Sequence, residues 1–271
     1  MGYILRKTLG SGSAGDGYLL DDGKVMIVGK REDSFATYKS MCEKLKKIDG
    51  KITSIKYPKV YALIEPCKEY PYGAIVEEGI FGSELRNKIG DLNEKDKFVI
   101  GRSLGLFLKE LHNIPASGDI DEEVKINLAK YDRSINLLKE YLPQNIIDIL
   151  TDIKEDYETL IKERDFCITH GDLNAGNIMI NDDNTLSGII DFGNMEYYIP
   201  EVEFVHMYFF DKDIFESMVW HYGKFIDERN MVLLELVINI RHFKNIVKFD
   251  DKREHCLGNI RALLNNYNSR R

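Results

Sequence analysis

The pattern of hydrophobic and polar positions changes character near residue 93 of this 271-residue chain. Before that point, short alternating or apolar runs predict a set of strands, over residues 3–9, 18–20, 24–28, 59–65 and 73–77. Asp22-Gly23 predicts a tight turn, because glycine accepts the positive φ that such a turn needs. One helix is predicted over residues 34–48, where apolar residues recur at spacings of three and four.

The second part of the chain has a mainly helical pattern. Amphipathic helices are predicted over residues 98–111, 129–141 and 146–161. A strand-like stretch over residues 166–191 interrupts this pattern, and helices return after Pro200. The sequence therefore predicts an α+β chain of two lobes. The first, over residues 1–79, is small and β-rich with one main helix; the second, over residues 80–271, is larger and mainly helical.

Composition and charge narrow the class of protein. Hydrophobic residues make up 44% of the sequence, which excludes global disorder. The formal net charge of -8 makes nucleic acid a poor partner, because an acidic chain repels phosphate backbones. The same charge favours small cationic ligands, although it is equally typical of a surface that needs only solubility.

The termini and the cysteines indicate the cellular compartment. The first residues lack the basic, apolar and cleavage regions of a secretion signal, and the most apolar stretch, Met231 to Ile240, carries Glu235. Four widely separated cysteines predict reduced, mostly buried thiols instead of a disulfide or zinc framework. We therefore expect a cytoplasmic monomer without a membrane partner.

The strand-like stretch carries the strongest chemical signal, the pattern H-x-D-x-x-x-x-N formed by His170, Asp172 and Asn177. A turn over residues 181–184 predicts a hairpin in which Asn177 opens one strand and Asp191 closes the other. Neighbouring strands lie ~4.8 Å apart, so both side chains can reach one cation, and their oxygens suit Mg²⁺. Asp172 lies just before the hairpin, where it can face a hydroxyl presented to a metal-bound phosphate. Each residue alone would be only a turn former, whereas the compound pattern favours a site.

These residues resemble a known fold. With Asp191-Phe192-Gly193 they are similar to the protein-kinase-like fold, and His170-Gly171-Asp172 resembles the H-G-D of the aminoglycoside phosphotransferase and choline kinase superfamily. The resemblance runs from the glycine-rich segment to about Phe204. It implies a bilobal kinase-like fold, ATP or GTP as phosphoryl donor, Asp172 as the catalytic aspartate, and Asn177 and Asp191 as the residues that hold Mg²⁺.

A glycine-rich segment follows the first predicted strand. Its pattern is Gly10-x-Gly12-x-x-Gly15, and a strand and a tight turn follow it, whereas the glycine loop of a dinucleotide-binding fold opens a helix. That context favours a kinase-type loop, whose backbone N–H groups cover phosphates, over an ordinary flexible turn. The resemblance makes Ser11 and Ser13 further phosphate contacts.

A kinase-like site needs a strand lysine that neutralises phosphate charge and a helix glutamate that holds the lysine. Lys24 and Lys30 share one face of the predicted third strand, and both stay open as candidates. Lys30 is favoured because it follows an apolar run, as the family's lysine does, although Gly29 stands where the family has an apolar residue. The resemblance favours Glu43 over Glu32 as the partner, and the alternative for Glu43 is a solvated helix charge.

Residues 75–85 resemble the strand and hinge that join the two lobes in this superfamily. The resemblance implies that backbone groups from Glu77 to Gly79 pair with the purine edge of the nucleotide. Because backbone groups would read the base, ATP and GTP stay equally open as donors.

The acceptor is expected to be a small molecule with a hydroxyl group. No long activation segment and no A-P-E follow Gly193, so an extended peptide has no platform. Residues 199–204 resemble the D-P-x-x-D-F stretch of small-molecule kinases, with Ile199 and Glu203 in place of its aspartates. Several acidic side chains are candidates for binding a polycation, or else solvated charges: Asp119, Asp121, Glu122, Glu123, Asp211, Asp213, Glu216, Glu228 and Glu235.

The leading hypothesis is an O-phosphotransferase that acts on an aminoglycoside-like cationic acceptor, an antibiotic-resistance activity. One alternative is a metabolic kinase of choline, another amino alcohol, a sugar or homoserine. A set of aromatic residues could form a wall for an ammonium group, or serve as core: Tyr197, Tyr198, Tyr208 and Trp220. A catalytically silent nucleotide-binding module is a further alternative, against which the complete set of Asp172, Asn177 and Asp191 argues.

Overall fold

The computed structural model describes residues 4–11, 15–114 and 119–270. Its strands are β1 (Leu5–Ser11), β2 (Gly15–Leu20), β3 (Val25–Gly29), β4 (Val60–Ile64), β5 (Ala74–Glu77), β6 (Ser83–Glu84), β7 (Cys167–Thr169), β8 (Ile178–Ile180), β9 (Leu186–Ile189) and β10 (Glu196–Tyr198). Its helices are α1 (Ser34–Ile48), α2 (Leu85–Lys88), α3 (Glu94–His112), α4 (Ile120–Leu138), α5 (Gln144–Lys162), α6 (Val202–Phe210), α7 (Lys212–Tyr222), α8 (Met231–Ile246) and α9 (Asp250–Arg270).

The chain divides into two compact units. The first comprises Met1–Ile114, His170–Glu196 and Phe210–Lys224, and the second comprises the intervening segments and the C-terminal part. Among the described residues, all those that the sequence nominates for nucleotide, metal or catalysis fall within the first unit. The predicted division between residues 79 and 80 stays a prediction.

A five-stranded antiparallel sheet forms the N-terminal part of the first unit, in the order β1-β2-β3-β5-β4. On one face of this sheet, Met26 lies in a buried cluster with Leu20, Ala74 and Val76. Because side chains alternate along a strand, the other face of β3 carries Val25, Ile27 and Gly29. This second face meets helix α1: a Cβ built on Gly29 would lie 2.6 Å from Cβ of Ser34.

Helix α1 spans the residues predicted from its apolar spacing, Ser34–Ile48. Its buried residues recur every three or four positions and form one stripe: Ser34, Tyr38, Met41, Cys42, Leu45 and Ile48. The opposite side of the helix, which includes Lys39 and Glu43, is exposed. The stripe therefore fixes which side chains of α1 face the sheet.

A second, three-stranded sheet has the order β6-β8-β9. The hairpin of β8 and β9 confirms the turn predicted between Asn177 and Asp191, with Ile178 opposite Ile189 in the register. Asn184 takes a left-handed conformation in the turn, with φ of 65°. The backbone N–H of Ile190 donates to the carbonyl of Asn177 at 2.9 Å, so the residue before Asp191 lies directly beside Asn177.

Helices α3 and α7 cross closely in the first unit, where two glycines of α3 face the backbone of α7. A Cβ on Gly101 would lie 2.5 Å from the carbonyl oxygen of Ile214, and one on Gly105 would lie 2.3 Å from that of Met218. No side chain fits in either place. Helix α3 starts at a capping box, in which Asn93 and Asp96 exchange hydrogen bonds.

The second unit contains helices α4, α5, α8 and α9. Helix α4 begins at Ile120, earlier than its predicted start at residue 129. The Asp119 side chain accepts hydrogen bonds from Asp121 N and Glu122 N, and acidic residues are favourable in a first helical turn. Within the described part of the chain, no helix combines the length and apolarity needed to cross a membrane. The four cysteines are free thiols, three of them buried, as predicted.

Candidate active site

Asp172 is held on both sides of its carboxylate by amide side chains. Asn174 Nδ2 donates to Oδ1 of Asp172 at 2.7 Å. Asn177 Nδ2 donates to Oδ2 at 3.3 Å and to the backbone carbonyl of Asp172 at 2.8 Å. The carboxylate is therefore restricted to one orientation, because hydrogen bonds to charged groups are among the stronger ones in proteins.

His170 ties the Asp172 loop to the strand that leads to Asp191. The backbone N–H of Asp172 donates to Nδ1 of His170 at 3.2 Å, so Nε2 carries the ring proton. That proton is donated to the carbonyl of Ile190 at 3.0 Å. The His170 ring also meets the ring of Phe192 edge-on, with 4.5 Å between their centroids. His170 is fully buried, and these contacts connect the Asp172 loop to the residue before Asp191.

Asp191 stands in a strained backbone conformation at the end of the hairpin. Its φ of 62° and ψ of 63° are left-handed, which is uncommon for a residue other than glycine. The residue is exposed to solvent on one side. The surrounding protein removes part of the water from around the carboxylate, which disfavours its charged form, and the negative charge of Asp172 adds to this effect. Both raise the pKa of Asp191, while His170 and a hydrogen bond from Gly193 N–H counteract them. A cation bound here would relieve the accumulated negative charge.

The donor set of Asn177 and Asp191 fits a hard divalent cation. The amide nitrogen of Asn177 donates to Asp172, which turns its oxygen toward the remaining side. An amide oxygen and a carboxylate are ligands that Mg²⁺ accepts, together with water and phosphate oxygens. Among the residues that the structure describes, no group of three or more His, Cys, Asp or Glu side chains is arranged to hold a metal. Most ligands of such an ion would therefore come from the nucleotide and water.

The sequence matches the model of the phosphotransferase enzyme family, APH, over residues 7–225. The chain belongs to this family. The matched part contains Asp172, Asn177 and Asp191 together with all of the five-stranded sheet except the first two residues of β1. The protein is accordingly a nucleotide-dependent phosphotransferase with an alcohol group as acceptor, as predicted.

Solved structures of similar shape support the same fold. The GDP and kanamycin complex of APH(2")-IIIa is 16% identical, with a TM-score of 0.80 over 97% of this chain and 94% of that one. The ternary complex of streptomycin, ATP and APH(2")-IIa is 22% identical, with a TM-score of 0.73 over 97% and 91%. A macrolide 2'-phosphotransferase of type I is 13% identical, with a TM-score of 0.67 over 97% and 92%. These similarities confirm the predicted α+β kinase-like fold of the phosphotransferase.

The glycine-rich segment of the phosphotransferase is described at Gly10, Ser11 and Gly15, whereas Gly12 and Ser13 lie outside the described residues. Gly10 and Ser11 end β1, and Gly15 begins β2 opposite Gly29. A Cβ on Gly15 would lie 2.3 Å from the carbonyl oxygen of Val28, so no side chain fits there. Their role in phosphate binding stays a prediction.

Lys30 lies on the face of the sheet opposite helix α1. Its ammonium group pairs with Asp16 at 2.7 Å and donates to the hydroxyl of Ser11. Asp16 lies opposite Val28 in the register, and Val28 packs on the Met26 side of the sheet. The other candidate, Lys24, lies on the same face of the sheet as Lys30 by strand alternation, and it pairs with Asp22.

The structure does not bring Lys30 and Glu43 together. Glu43 lies on the exposed side of α1, whereas Lys30 pairs with residues of β1 and β2. Strand alternation explains the separation, because the positions of β3 that face α1 are occupied by Val25, Ile27 and Gly29.

The predicted hinge begins where β5 ends. The side chain of Glu77 is buried on the α1-facing side, since Glu77 lies opposite Val25 in the register. Burial raises the pKa of Glu77 to about 8, and the negative charge of Asp191 adds to the effect. The next N–H, from Glu78, donates to the carbonyl of Lys59 at 2.8 Å. Gly79 lies against the ring of Phe81, 2.4 Å from where its Cβ would stand. Their pairing with a purine stays a prediction.

Several acidic candidates for acceptor binding have structural partners. Asp119 and Asp211 cap the N-termini of α4 and α7. Lys97 pairs with Asp211 at 2.7 Å and with Asp213 at 3.4 Å. Among the aromatic candidates, Tyr198 is buried, while Trp220 is 79% exposed. Asp119, Asp211 and Asp213 therefore have local structural partners.

Sequence reasoning missed four side chains near the site: Asn174, Tyr38, Lys44 and Arg86. Asn174 lies inside the H-x-D-x-x-x-x-N pattern, and a polar residue two positions after Asp172 was the available signal. The Arg86 guanidinium lies beside Gly176 of the Asp172 loop, 3.1 Å from where a Cβ would stand, and pairs with Glu84. Nothing in the local pattern around Tyr38 or Lys44 marks them.

Proposed function

We propose that this protein transfers the γ-phosphoryl group of ATP or GTP to a hydroxyl of an aminoglycoside-like, cationic acceptor, with Mg²⁺ held by Asn177 and Asp191. The observation that carries the proposal is the constraint on Asp172, whose carboxylate accepts hydrogen bonds from Asn174 and Asn177 beside Asp191. A structural turn does not require this arrangement, whereas phosphoryl transfer requires an oriented carboxylate next to a metal-binding pair.

In the proposed reaction, Asp172 receives the acceptor hydroxyl. Its carboxylate orients the hydroxyl toward the phosphoryl group and takes its proton as the new O–P bond forms. The bond between the γ-phosphorus and the oxygen that bridges it to the β-phosphate breaks in the same step, and the nucleoside diphosphate leaves with that oxygen. Asn174 and Asn177 hold the carboxylate in place, so little reorganisation is needed at that moment. Bound Mg²⁺ would offset the negative charge of the phosphate oxygens. His170 keeps Asp172 and the segment before Asp191 in a fixed relation.

The choice of a cationic acceptor is supported by two observations. The chain has a formal net charge of -8, which attracts polyamines and repels anionic acceptors. Solved structures of similar fold include aminoglycoside phosphotransferases in complex with kanamycin, gentamicin and streptomycin. An antibiotic-resistance role follows if the acceptor is such a compound.

The experiment is a coupled assay of nucleoside diphosphate release with ATP or GTP, across aminoglycosides and other small alcohols. Turnover is expected only with an acceptor present, and phosphorus NMR is expected to show a phosphate ester on the product. The substitutions Asp172→Ala and Asp191→Ala should each lower kcat by roughly 100-fold or more.

Asp182→Ala is the matched control, because Asp182 lies exposed in the turn of the same hairpin. This variant should retain the activity of the unsubstituted protein. Full turnover in both Asp172→Ala and Asp191→Ala would refute the proposed site. Transfer to alcohols that lack amino groups, with none to aminoglycosides, would refute the proposed acceptor class. Expression in a susceptible bacterium would then separate an antibiotic substrate from a metabolic one.

A further inference from the structure

A kinase-like site uses a strand lysine against phosphate charge, but strand β3, all of which the structure describes, presents no lysine toward helix α1. Strand β3 presents Val25, Ile27 and Gly29 to this side, while Met26 and Val28 pack on the other. A strand lysine paired with a helix glutamate normally joins the phosphate-binding part of such a site to its helix. In this chain two other side chains of α1 contact the segments on which the site is predicted.

Tyr38 reaches from α1 to the glycine-rich segment. A Cβ built on Gly15 would lie 2.7 Å from the Tyr38 hydroxyl, so the hydroxyl lies directly against the start of β2. Tyr38 is only 2% exposed. Burial raises the pKa of Tyr38 to about 12, and the charges of Glu77 and Asp191 add to the effect. The hydroxyl therefore keeps its proton at neutral pH.

Lys44 reaches from the same helix to the segment that follows Asp191. Its ammonium group donates to the carbonyl of Met195 at 2.8 Å and to the hydroxyl of Ser40 at 2.8 Å. Met195 ends the short turn Phe192–Asn194, and its N–H donates back to the carbonyl of Phe192 at 3.2 Å. The lysine thus holds the far end of the segment that begins at Asp191.

We propose that Tyr38 and Lys44 are positioning residues that couple the two halves of the nucleotide site through helix α1. Tyr38 supports the glycine-rich segment, and Lys44 holds the Asp191 segment, so the helix takes over the joining role of a lysine–glutamate pair. The proposal rests on the proposed nucleotide and Mg²⁺ use of this site. The two side chains should affect different properties. Lys44 acts on the Asp191 segment and so on the contribution of Mg²⁺, whereas Tyr38 acts on Gly15 and so on the binding of the nucleotide itself.

These effects separate in a binding measurement. Calorimetric titration of ADP and of GDP, with Mg²⁺ or with a chelator, gives the nucleotide affinity under both conditions. The ratio of the affinity with Mg²⁺ to the affinity with the chelator is the gain from Mg²⁺. In Lys44→Met, the gain from Mg²⁺ should fall about tenfold, while the affinity without metal changes less than about twofold. In Tyr38→Phe, the affinity without metal should fall by about fivefold or more.

Two matched controls test whether these effects are specific. Lys39→Met removes an exposed lysine of the same helix, and Tyr131→Phe removes a buried hydroxyl that donates to the carbonyl of Leu150 in the second unit. Both should bind nucleotide as the unsubstituted protein does. If Lys44→Met does not fold, Lys44→Gln shortens the side chain and removes its charge, and the same loss of the Mg²⁺ gain is expected.

The outcomes distinguish this proposal from the proposed function. If the unsubstituted protein binds nucleotide with a Mg²⁺ gain and both variants match it within about twofold, the coupling role of α1 is refuted and the proposed function stands. A general loss of affinity that the two controls share would also refute it, since the effect would then reflect stability alone. If the unsubstituted protein binds neither ADP nor GDP, the proposed function fails and the coupling role fails with it.

Discussion

The side-chain amide of Asn174 donates a 2.7 Å hydrogen bond to Oδ1 of Asp172. The same amide is fixed from its other end, because its oxygen accepts a hydrogen bond from Gly176 N–H at 2.8 Å. A carboxylate that must take a proton in one direction gains from a donor that is itself immobile. Asn174 is therefore more than a turn former in the loop.

We expect Asn174→Ala to lower kcat by roughly tenfold to a hundredfold, because a hydrogen bond to a charged group contributes about 1.5–3 kcal/mol. The KM for nucleotide should change little, since Asn177 and Asp191 stay in place. Steady-state kinetics with a fixed acceptor measure both quantities. Asn181→Ala is the control, because the side-chain amide of Asn181 donates to the hydroxyl of Thr185 in the hairpin turn, away from Asp172. Equal kcat values in the two variants would show that Asn174 does not position Asp172.

Because the Glu77 carboxyl is buried, we expect the free energy of unfolding to fall as pH rises. Its pKa is raised from 4.5 to about 8 in the folded protein, chiefly by burial, so between these values the folded state holds a proton that the unfolded state has lost. The free energy of unfolding should fall across this window, on the order of 1 kcal/mol per pH unit from this group alone. Urea unfolding at pH 5, 6, 7 and 8 measures the slope.

The substitution Glu77→Gln should remove this slope, because the amide does not titrate. It should also make the protein more stable at pH 8, where folding of the unsubstituted protein requires Glu77 either to take up a proton or to be buried with its charge. Glu78→Gln is the matched control, since Glu78 is the next residue and is not fully buried. A Glu77→Gln variant that loses stability with pH as steeply as the unsubstituted protein would assign the effect to other groups.

The hairpin of β8 and β9 could be predicted because its signals are local. His170, Asp172 and Asn177 lie within eight consecutive positions, and the turn between β8 and β9 needs only neighbouring residues. Helix α1 was predicted to its observed bounds for the same reason, since one apolar stripe runs along it. Helix α4 was predicted nine residues late, because acidic residues at its start favour a helix as well as a loop.

The environment of Lys30 could not be predicted from the same kind of pattern. Alternation places Lys30 on the side of Met26 and Val28, but both faces of β3 are apolar, so the sequence does not tell which face meets α1. The packing of Ser34 against Gly29 decides the question, and that contact is tertiary. The burial of Glu77 next to α1 was missed for the same reason, because a glutamate at the end of a strand is usually solvated.

Because His112 is buried, its contribution to the free energy of unfolding should depend on pH in the opposite direction from that of Glu77. Burial lowers the pKa of His112 from 6.5 to about 3. Between these pH values the unfolded chain binds a proton at His112 that the folded protein does not bind. The free energy of unfolding should therefore fall as pH decreases from 6.5 toward 3. Nδ1 of His112 lies 3.0 Å from the Tyr222 hydroxyl, and His112→Gln retains a polar group for that contact.

The measurement is urea unfolding between pH 7 and pH 5 for both proteins. Because Glu77 contributes with the opposite sign in this window, the informative quantity is the difference in the free energy of unfolding between His112→Gln and the unsubstituted chain. This difference should shift in favour of His112→Gln as pH falls from 6.5 to 5, even if the variant is less stable throughout. His255→Gln removes an exposed histidine of α9 and should leave the slope unchanged. Parallel slopes for His112→Gln and the unsubstituted protein would mean that His112 is not responsible for the acid sensitivity.

The crossing of α3 and α7 predicts a strong contrast among glycine-to-alanine substitutions. In Gly105→Ala the new methyl group would stand 2.3 Å from the carbonyl oxygen of Met218, and in Gly101→Ala it would stand 2.5 Å from that of Ile214. Backbone cannot yield as a flexible side chain does, so each substitution should lower the free energy of unfolding by about 2 kcal/mol or more. Gly258 of α9 has no heavy atom within 4 Å of its Cβ position, so Gly258→Ala should raise stability by about 0.5–1 kcal/mol through helix propensity. Urea unfolding of the three variants at one pH tests the contrast, and equal effects at all three positions would show that the two helices can separate without cost.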